Sequence, residues 1–143
     1  MRTWIVVATL AAACFQATPA WAGISVAGGG YSSSSPAATG AAVLISSGAS
    51  IPAVPLEVQA TLLAPLAGRG GYALTGEIRG FTGGGLGGAY IGAGAGIGTL
   101  SRDHTAGPVF TAFAGKSIAP FTSIELRAYR ATRTGGATAG FIG

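Results

Sequence analysis

The chain has 143 residues, of which only 8% are charged and 49% are hydrophobic, with 26 glycines, a formal net charge of +4 and a mean hydropathy of +0.55. A soluble domain carries about 25% charged residues, so this composition excludes an ordinary solvated surface. It also excludes disorder, which goes with polar, charged sequences, and the small positive balance gives no basis for a nucleic-acid partner.

In chain order, the first element is Met1-Arg2 followed by Trp4 to Leu10 and a run of alanines, ending at Ala20-Trp21-Ala22. A positive start, a short apolar stretch and a small-x-small site predict a cleavable signal peptide over 1–22. The apolar stretch falls short of the roughly 20 residues that a spanning helix needs. The mature chain is then one domain, 23–143, with a net charge of +3 after loss of Arg2 from the +4 of the whole. Cys14, the single cysteine, falls inside the predicted signal. Leu10 stands one place too far upstream of it for a lipoprotein processing site. Without disulfides, a domain of this size relies on burial or on lipid.

Beyond the signal the apolar residues recur with a period of two. Leu56, Val58, Ala60 and Leu62 alternate with Glu57, Gln59 and Thr61. Tyr72, Leu74 and Ile78 share a face with Gly76 and Gly80, opposite Thr75, Glu77 and Arg79. Ile124, Leu126 and Ala128 alternate with Glu125, Arg127 and Tyr129. Extending this rule predicts strands near 23–33, 40–51, 55–64, 70–81, 86–101, 107–118, 122–132 and 136–143. Most of them are about ten to twelve residues long, which suits a tilted membrane-crossing strand. Eight such strands predict an all-β fold, an eight-stranded antiparallel up-and-down transmembrane β-barrel with a short last strand.

The connections alternate in character. Ile51-Pro52-Ala53-Val54-Pro55, Gly83 to Gly85 and Ala119 to Thr122 read as tight turns, expected on the periplasmic side with both termini. Ser32 to Ala38, Pro65 to Gly70, Ser101 to Gly107 and Arg133 to Gly136 read as outer loops. Arg69, Arg102, Arg130 and Arg133 in or near them are candidate contacts for lipopolysaccharide phosphates, which suit the planar fork of arginine. Ordinary solubilising loop charge is the other reading of these four.

Two alternatives stand beside this reading. A soluble secreted or periplasmic β-domain that binds a ligand would turn its apolar faces to a core. A helix over 80–101 is favoured by the lack of charge there, but ten of those 22 residues are glycine, each costing about 1 kcal/mol in a helix.

The polar constellation consists of Glu57 with Gln59, Glu77 with Arg79, and Glu125 with Arg127, each two apart and so on one side of its strand. With the other side in lipid, this side is the lumen. Lys116 joins them if Ala119 to Thr122 is a four-residue turn, which sets Lys116 across from Glu125. An eight-stranded barrel is only wide enough for side chains to fill it, so these charges are expected to pair as a packed polar core. The glycine row Gly92, Gly94, Gly96 and Gly98 leaves room beside Glu77 and Arg79.

Other motifs carry no chemistry. Gly83 to Gly88 spells G-x-G-x-x-G, but no helix follows and glycine is abundant. His104 is the only histidine, which excludes a multi-histidine metal site, and adjacent Asp103 lies with it on a polar loop. No catalytic, cofactor-binding or metal-binding residue is expected.

The stretch Tyr90-Ile91-Gly92-Ala93-Gly94-Ala95-Gly96, then Ala112-Phe113-Ala114-Gly115, then Ala119-Pro120-Phe121-Thr122-Ser123-Ile124-Glu125-Leu126-Arg127-Ala128-Tyr129-Arg130 resembles the opacity-type and outer-membrane-protein-A-like eight-stranded barrels of Gram-negative bacteria. The resemblance covers the second half of the chain, and the first half only by strand spacing. It implies a non-enzymatic cell-outer-membrane protein with an envelope-structural or adhesin-like role. Its implied partners are outer-membrane lipids and lipopolysaccharide, the barrel assembly machinery and a host or surface ligand. Such barrels usually end in an aromatic residue, whereas Phe141-Ile142-Gly143 stands here. Outer-membrane lipid-modifying enzymes form eight-stranded barrels too; the deacylases among them need a histidine with a serine two positions on, and His104 is followed by Thr105 and Ala106.

Overall fold

The computed structural model describes residues 23–34, 37–51, 53–66, 71–82, 88–100, 105–119, 122–132 and 138–143. These form eight strands: β1 (Gly23–Ser34), β2 (Ala37–Ser50), β3 (Leu56–Pro65), β4 (Ala73–Thr82), β5 (Ala89–Gly98), β6 (Gly107–Ala119), β7 (Thr122–Ala131) and β8 (Thr138–Ile142). Each pairs antiparallel with the next and β8 returns to β1, closing an up-and-down barrel. The predicted signal segment 1–22, the glycine run Gly83 to Gly85, and Arg69, Arg102, His104 and Arg133 lie outside the described residues.

Period-two patterning becomes two opposed surfaces because successive strand side chains point to opposite faces. On β7, Ile124 and Leu126 are 56% and 58% exposed, while Glu125 and Arg127 between them are 7% and 2% exposed. The inner surface is therefore the polar one. Every strand contributes aliphatic side chains to the outside, among them Ile24, Ile45, Val58, Ile78, Ile91 and Ile118. The helical alternative for 80–101 is overturned, since Gly80–Thr82 belongs to β4 and Ala89–Gly98 is paired to strands on both sides. β5 is accordingly shorter than the expected 86–101.

The lumen is layered. At the end away from Gly23, an apolar cluster that includes Tyr31, Leu63, Leu100, Val109, Tyr129 and Phe141 fills the barrel. The charged side chains occupy the middle and the end where Gly23 lies. On that second end the turn after β2 is held by Ile51 N–H donating to Leu56 O at 2.9 Å, and Ala53 sits there at φ 65°. The β6–β7 register shifts between Ser117 and Ala119, a bulge near the hairpin that changes which β7 residues face β6.

Closure is uneven. β8 meets β1 over Gly30 to Ser33 only, although β1 runs on down to Gly23.

Candidate functional site

The register of β3 against β4 sets the lumen's polar chemistry. It places Glu57 opposite Arg79, Gln59 opposite Glu77, Thr61 opposite Thr75 and Leu63 opposite Ala73, so polarity falls step by step toward the apolar end. Arg79 Nη2 donates to both carboxylate oxygens of Glu57 at 2.8 Å. Its guanidinium also lies over Phe81 and Tyr90, 5.1 and 4.9 Å from the ring centroids, where the ring faces favour a cation.

Glu77 is the hub. Its Oε1 accepts from Thr75 Oγ1 and Arg127 Nη1, each at 2.6 Å. Its Oε2 accepts from Gln59 Nε2 at 2.6 Å and Thr61 Oγ1 at 2.9 Å. A carboxylate offers about four acceptor positions, and all are engaged. Glu77 therefore has no lone pair left to remove a proton from a substrate; its chemistry is that of a fixed counter-charge. Arg127 also pairs with Glu125 through Nε and stacks over Phe113 at 4.1 Å. Both Arg127 and Glu77 are fully desolvated.

The glycine row opens the path for this pair. Successive β5 positions face Arg79, Glu77, Thr75 and Ala73 with Gly92, Gly94, Gly96 and Gly98. A Cβ on Gly94 would lie 2.3 Å from Gly76 O and 2.6 Å from Glu77 Cγ, and one on Gly92 would strike the Phe113 ring at 2.2 Å. Gly115 likewise makes room for Tyr90, whose hydroxyl donates to Ser123 Oγ at 3.4 Å.

Six of the seven residues expected in the lumen, Glu57, Gln59, Glu77, Arg79, Glu125 and Arg127, come together there. Glu77 and Arg79, two apart on one strand, do not pair with each other; Arg79 takes Glu57 and Glu77 takes Arg127. Lys116 is a correction. It is exposed on the outer face, paired with outward Ile124, while Gly115 stands opposite Glu125. The bulge between Ser117 and Ala119 shifts the register by one residue, and a one-residue shift carries a side chain to the opposite face. Arg130 is exposed on the outer face beside Phe110. Thr61, Thr75, Phe113 and Tyr90 are additional members. Alternation puts the two threonines on the polar faces, but only the register brings them onto Glu77.

Ser25, Ser46, Ser123, Arg79, Glu125 and Arg127 line a recess near the terminal end with space for about one water. Among the described residues no group of three or more His, Cys, Asp or Glu could hold a metal ion. No family model, curated protein or solved structure matches the chain.

Proposed function

We propose that this protein is a non-enzymatic outer-membrane β-barrel of the opacity-type or outer-membrane-protein-A-like kind, exported by the segment 1–22 and serving an envelope-structural or adhesin-like role through its loops. The observation that carries this reading is the inverted polarity of the barrel: charges inside, aliphatic side chains outside on every strand. In water that outer face would be an apolar patch far larger than soluble monomers tolerate. In a bilayer it is the expected surface, and closure satisfies the backbone groups that lipid cannot. Ten-residue strands such as β3, β4 and β7, rising about 3.3 Å per residue and tilted by roughly 45°, cover about 23 Å, close to the apolar band of such barrels.

Two exposed cations on the outside among the described residues fit the same picture. Lys116 and Arg130 stand toward opposite ends of the β6–β7 pair, and both have stems long enough to carry their charge to headgroup level. Arg130 then belongs to the lipopolysaccharide side with the outer loops, and Lys116 to the periplasmic side with Gly23. The filled lumen supports a structural part for Glu77 and Arg127 rather than a conducting or catalytic one. The test is purification from membranes: the protein should be extracted only by detergent, give β-rich circular dichroism in micelles and migrate differently on a denaturing gel with and without boiling. A monomer soluble without detergent would refute the reading.

A further inference from the structure

Polarity on the outer face is not evenly spread. At the end away from Gly23, the rim over β3 to β6 exposes Leu66, Tyr72, Leu74, Ile97 and Phe110. Over β7, β8, β1 and β2 the same rim exposes Arg130, Thr132, Thr138, Ser32, Ser34 and Thr39 instead. The registers gather these into two adjacent rows. Phe110, Arg130 and Thr138 stand in line, and Thr138 N–H donates to Ser34 Oγ at 3.0 Å. Gly140, Ser32 and Thr39 stand in the second row, two residues along β8 and so about 7 Å away. A Cβ on Gly140 would meet Ser32 Oγ only at 3.7 Å, so Ala128 and Gly140 leave a shallow dip beside Arg130 and Thr138.

Charge complementarity names the occupant. The three described carboxylates, Glu57, Glu77 and Glu125, all face the lumen, and Asp103, the remaining acid, lies outside the described residues. Among the described residues, then, no group on the outer face neutralises Arg130. We propose that this sector seats the headgroup of a phosphorylated sugar lipid, with the Arg130 guanidinium on the phosphate and the hydroxyls of Thr138, Ser32 and Thr39 on the sugar. The proposal rests on the membrane reading and deepens it, from a cation at headgroup level to a site with a defined ligand.

Each part of the sector has a matching part in such a lipid. Arginine's planar fork makes two parallel bonds to a phosphate. Serine and threonine hydroxyls both donate and accept, as sugar hydroxyls do. In hydrocarbon those hydroxyls would lack partners, so they belong at headgroup depth. Phe110, directly across from Arg130, presents apolar surface to the first acyl carbons. Lys116 supplies the contrast. It is exposed on the same outer face toward the other end, between Ala89 and Ile124, with no hydroxyl on either cross-strand neighbour. It can answer a charge but not a sugar. A second copy fits worse, since pairing this sector face to face would set one uncompensated Arg130 against another.

The test refolds the full chain in neutral polyoxyethylene micelles and counts bound lipid by native mass spectrometry. Lipid A, a phosphorylated glucosamine lipid, should be retained as one molecule per barrel. Phosphatidylglycerol, which has the phosphate without the sugar ring, should bind about 10-fold more weakly, the worth of one or two neutral hydrogen bonds. Arg130→Gln should weaken lipid A by about 10-fold or more, because bonds to a charged group are stronger, while Lys116→Gln leaves its binding unchanged. Thr138→Val together with Ser32→Ala should bring lipid A down to the level of phosphatidylglycerol and leave phosphatidylglycerol as it was. The substituted side chains are all exposed, and migration before and after boiling shows whether each barrel is intact. Equal losses from Lys116→Gln and Arg130→Gln would reduce the site to general charge attraction and overturn the proposal, as would phosphatidylglycerol bound as tightly as lipid A. Dimers that vanish in Arg130→Gln would overturn it in favour of a second copy. A chain soluble without detergent refutes the membrane reading; a detergent-extracted barrel that retains no lipid A refutes this proposal alone.

Discussion

Arg127 Nη1 donates to Glu77 Oε1 at 2.6 Å from strands that are not neighbours: β7 reaches β4 across the lumen, passing the two intervening strands. Gly94 and Phe113 form the floor of that crossing, the first by having no side chain and the second by offering its ring to the guanidinium. The ion pair thus ties together parts of the sheet that the backbone ladders connect only indirectly.

Breaking this tie should be far more costly than breaking the other lumen pair. Arg127→Met leaves Glu77 and Glu125 buried without a cation, a change that costs about 3–5 kcal/mol when an ion pair is dry. Glu57→Gln acts on a pair whose side chains keep 14% and 17% exposure and leaves a neutral acceptor beside Arg79, so it should cost less, about 1–2 kcal/mol. Urea unfolding midpoints of the refolded barrel order the two. Equal losses would show that water reaches Arg127 as freely as Arg79.

Glycines on the two faces of the sheet should respond in opposite directions. Gly94→Ala pushes a methyl to 2.3 Å from Gly76 O and 2.6 Å from Glu77 Cγ, so strand or carboxylate must move, and overpacking of this kind costs about 1–3 kcal/mol. Gly76→Ala, on the outer face, meets only Ala95 O at 3.9 Å. That variant should be neutral or gain about 0.5 kcal/mol from the reduced freedom of the unfolded chain. A destabilised Gly76→Ala with a tolerated Gly94→Ala would mean that the faces are assigned the wrong way round.

Alternation alone makes the faces legible, because a strand's side-chain period is 2 and Glu125, Arg127 and Tyr129 cannot all turn outward without turning Ile124 and Leu126 in. The same rule places Glu57, Gln59, Glu77 and Arg79 in the lumen. Partner choice is not legible this way. Glu77 and Arg79 share a strand face, yet their partners come from β7 and β3, and that depends on registers set by the hairpins. The one misplacement among the described residues, Lys116, has the same origin: one extra residue at the Ser117–Ala119 bulge, which no local pattern of apolar residues announces.

The corrected position of Lys116 makes a direct test of that bulge. On the outer face, opposite Ile124, the lysine has no carboxylate to neutralise, so Lys116→Leu should change stability by no more than about 0.5 kcal/mol. Were it inside and opposite Glu125, the same change would strip a buried charge of its partner and cost several times as much. Unfolding midpoints of Lys116→Leu measured beside Arg127→Met separate the two registers.

Ala53 offers a gain. It holds φ 65° in the turn between β2 and β3, a left-handed conformation that costs a side chain with Cβ roughly 1–2 kcal/mol. The residue is exposed, so removing its methyl loses little packing. Ala53→Gly relieves the backbone strain but frees the unfolded chain by about 0.4–1 kcal/mol, leaving a net gain of up to about 1.5 kcal/mol. The urea midpoint should rise with no change in slope, because the surface exposed on unfolding stays the same. Ala53→Val should move the midpoint the other way, since a β-branched side chain is a true outlier at positive φ. If both variants match the parent chain, the turn does not hold Ala53 in the left-handed region, and the bond from Ile51 N–H to Leu56 O that closes it must form by another backbone path.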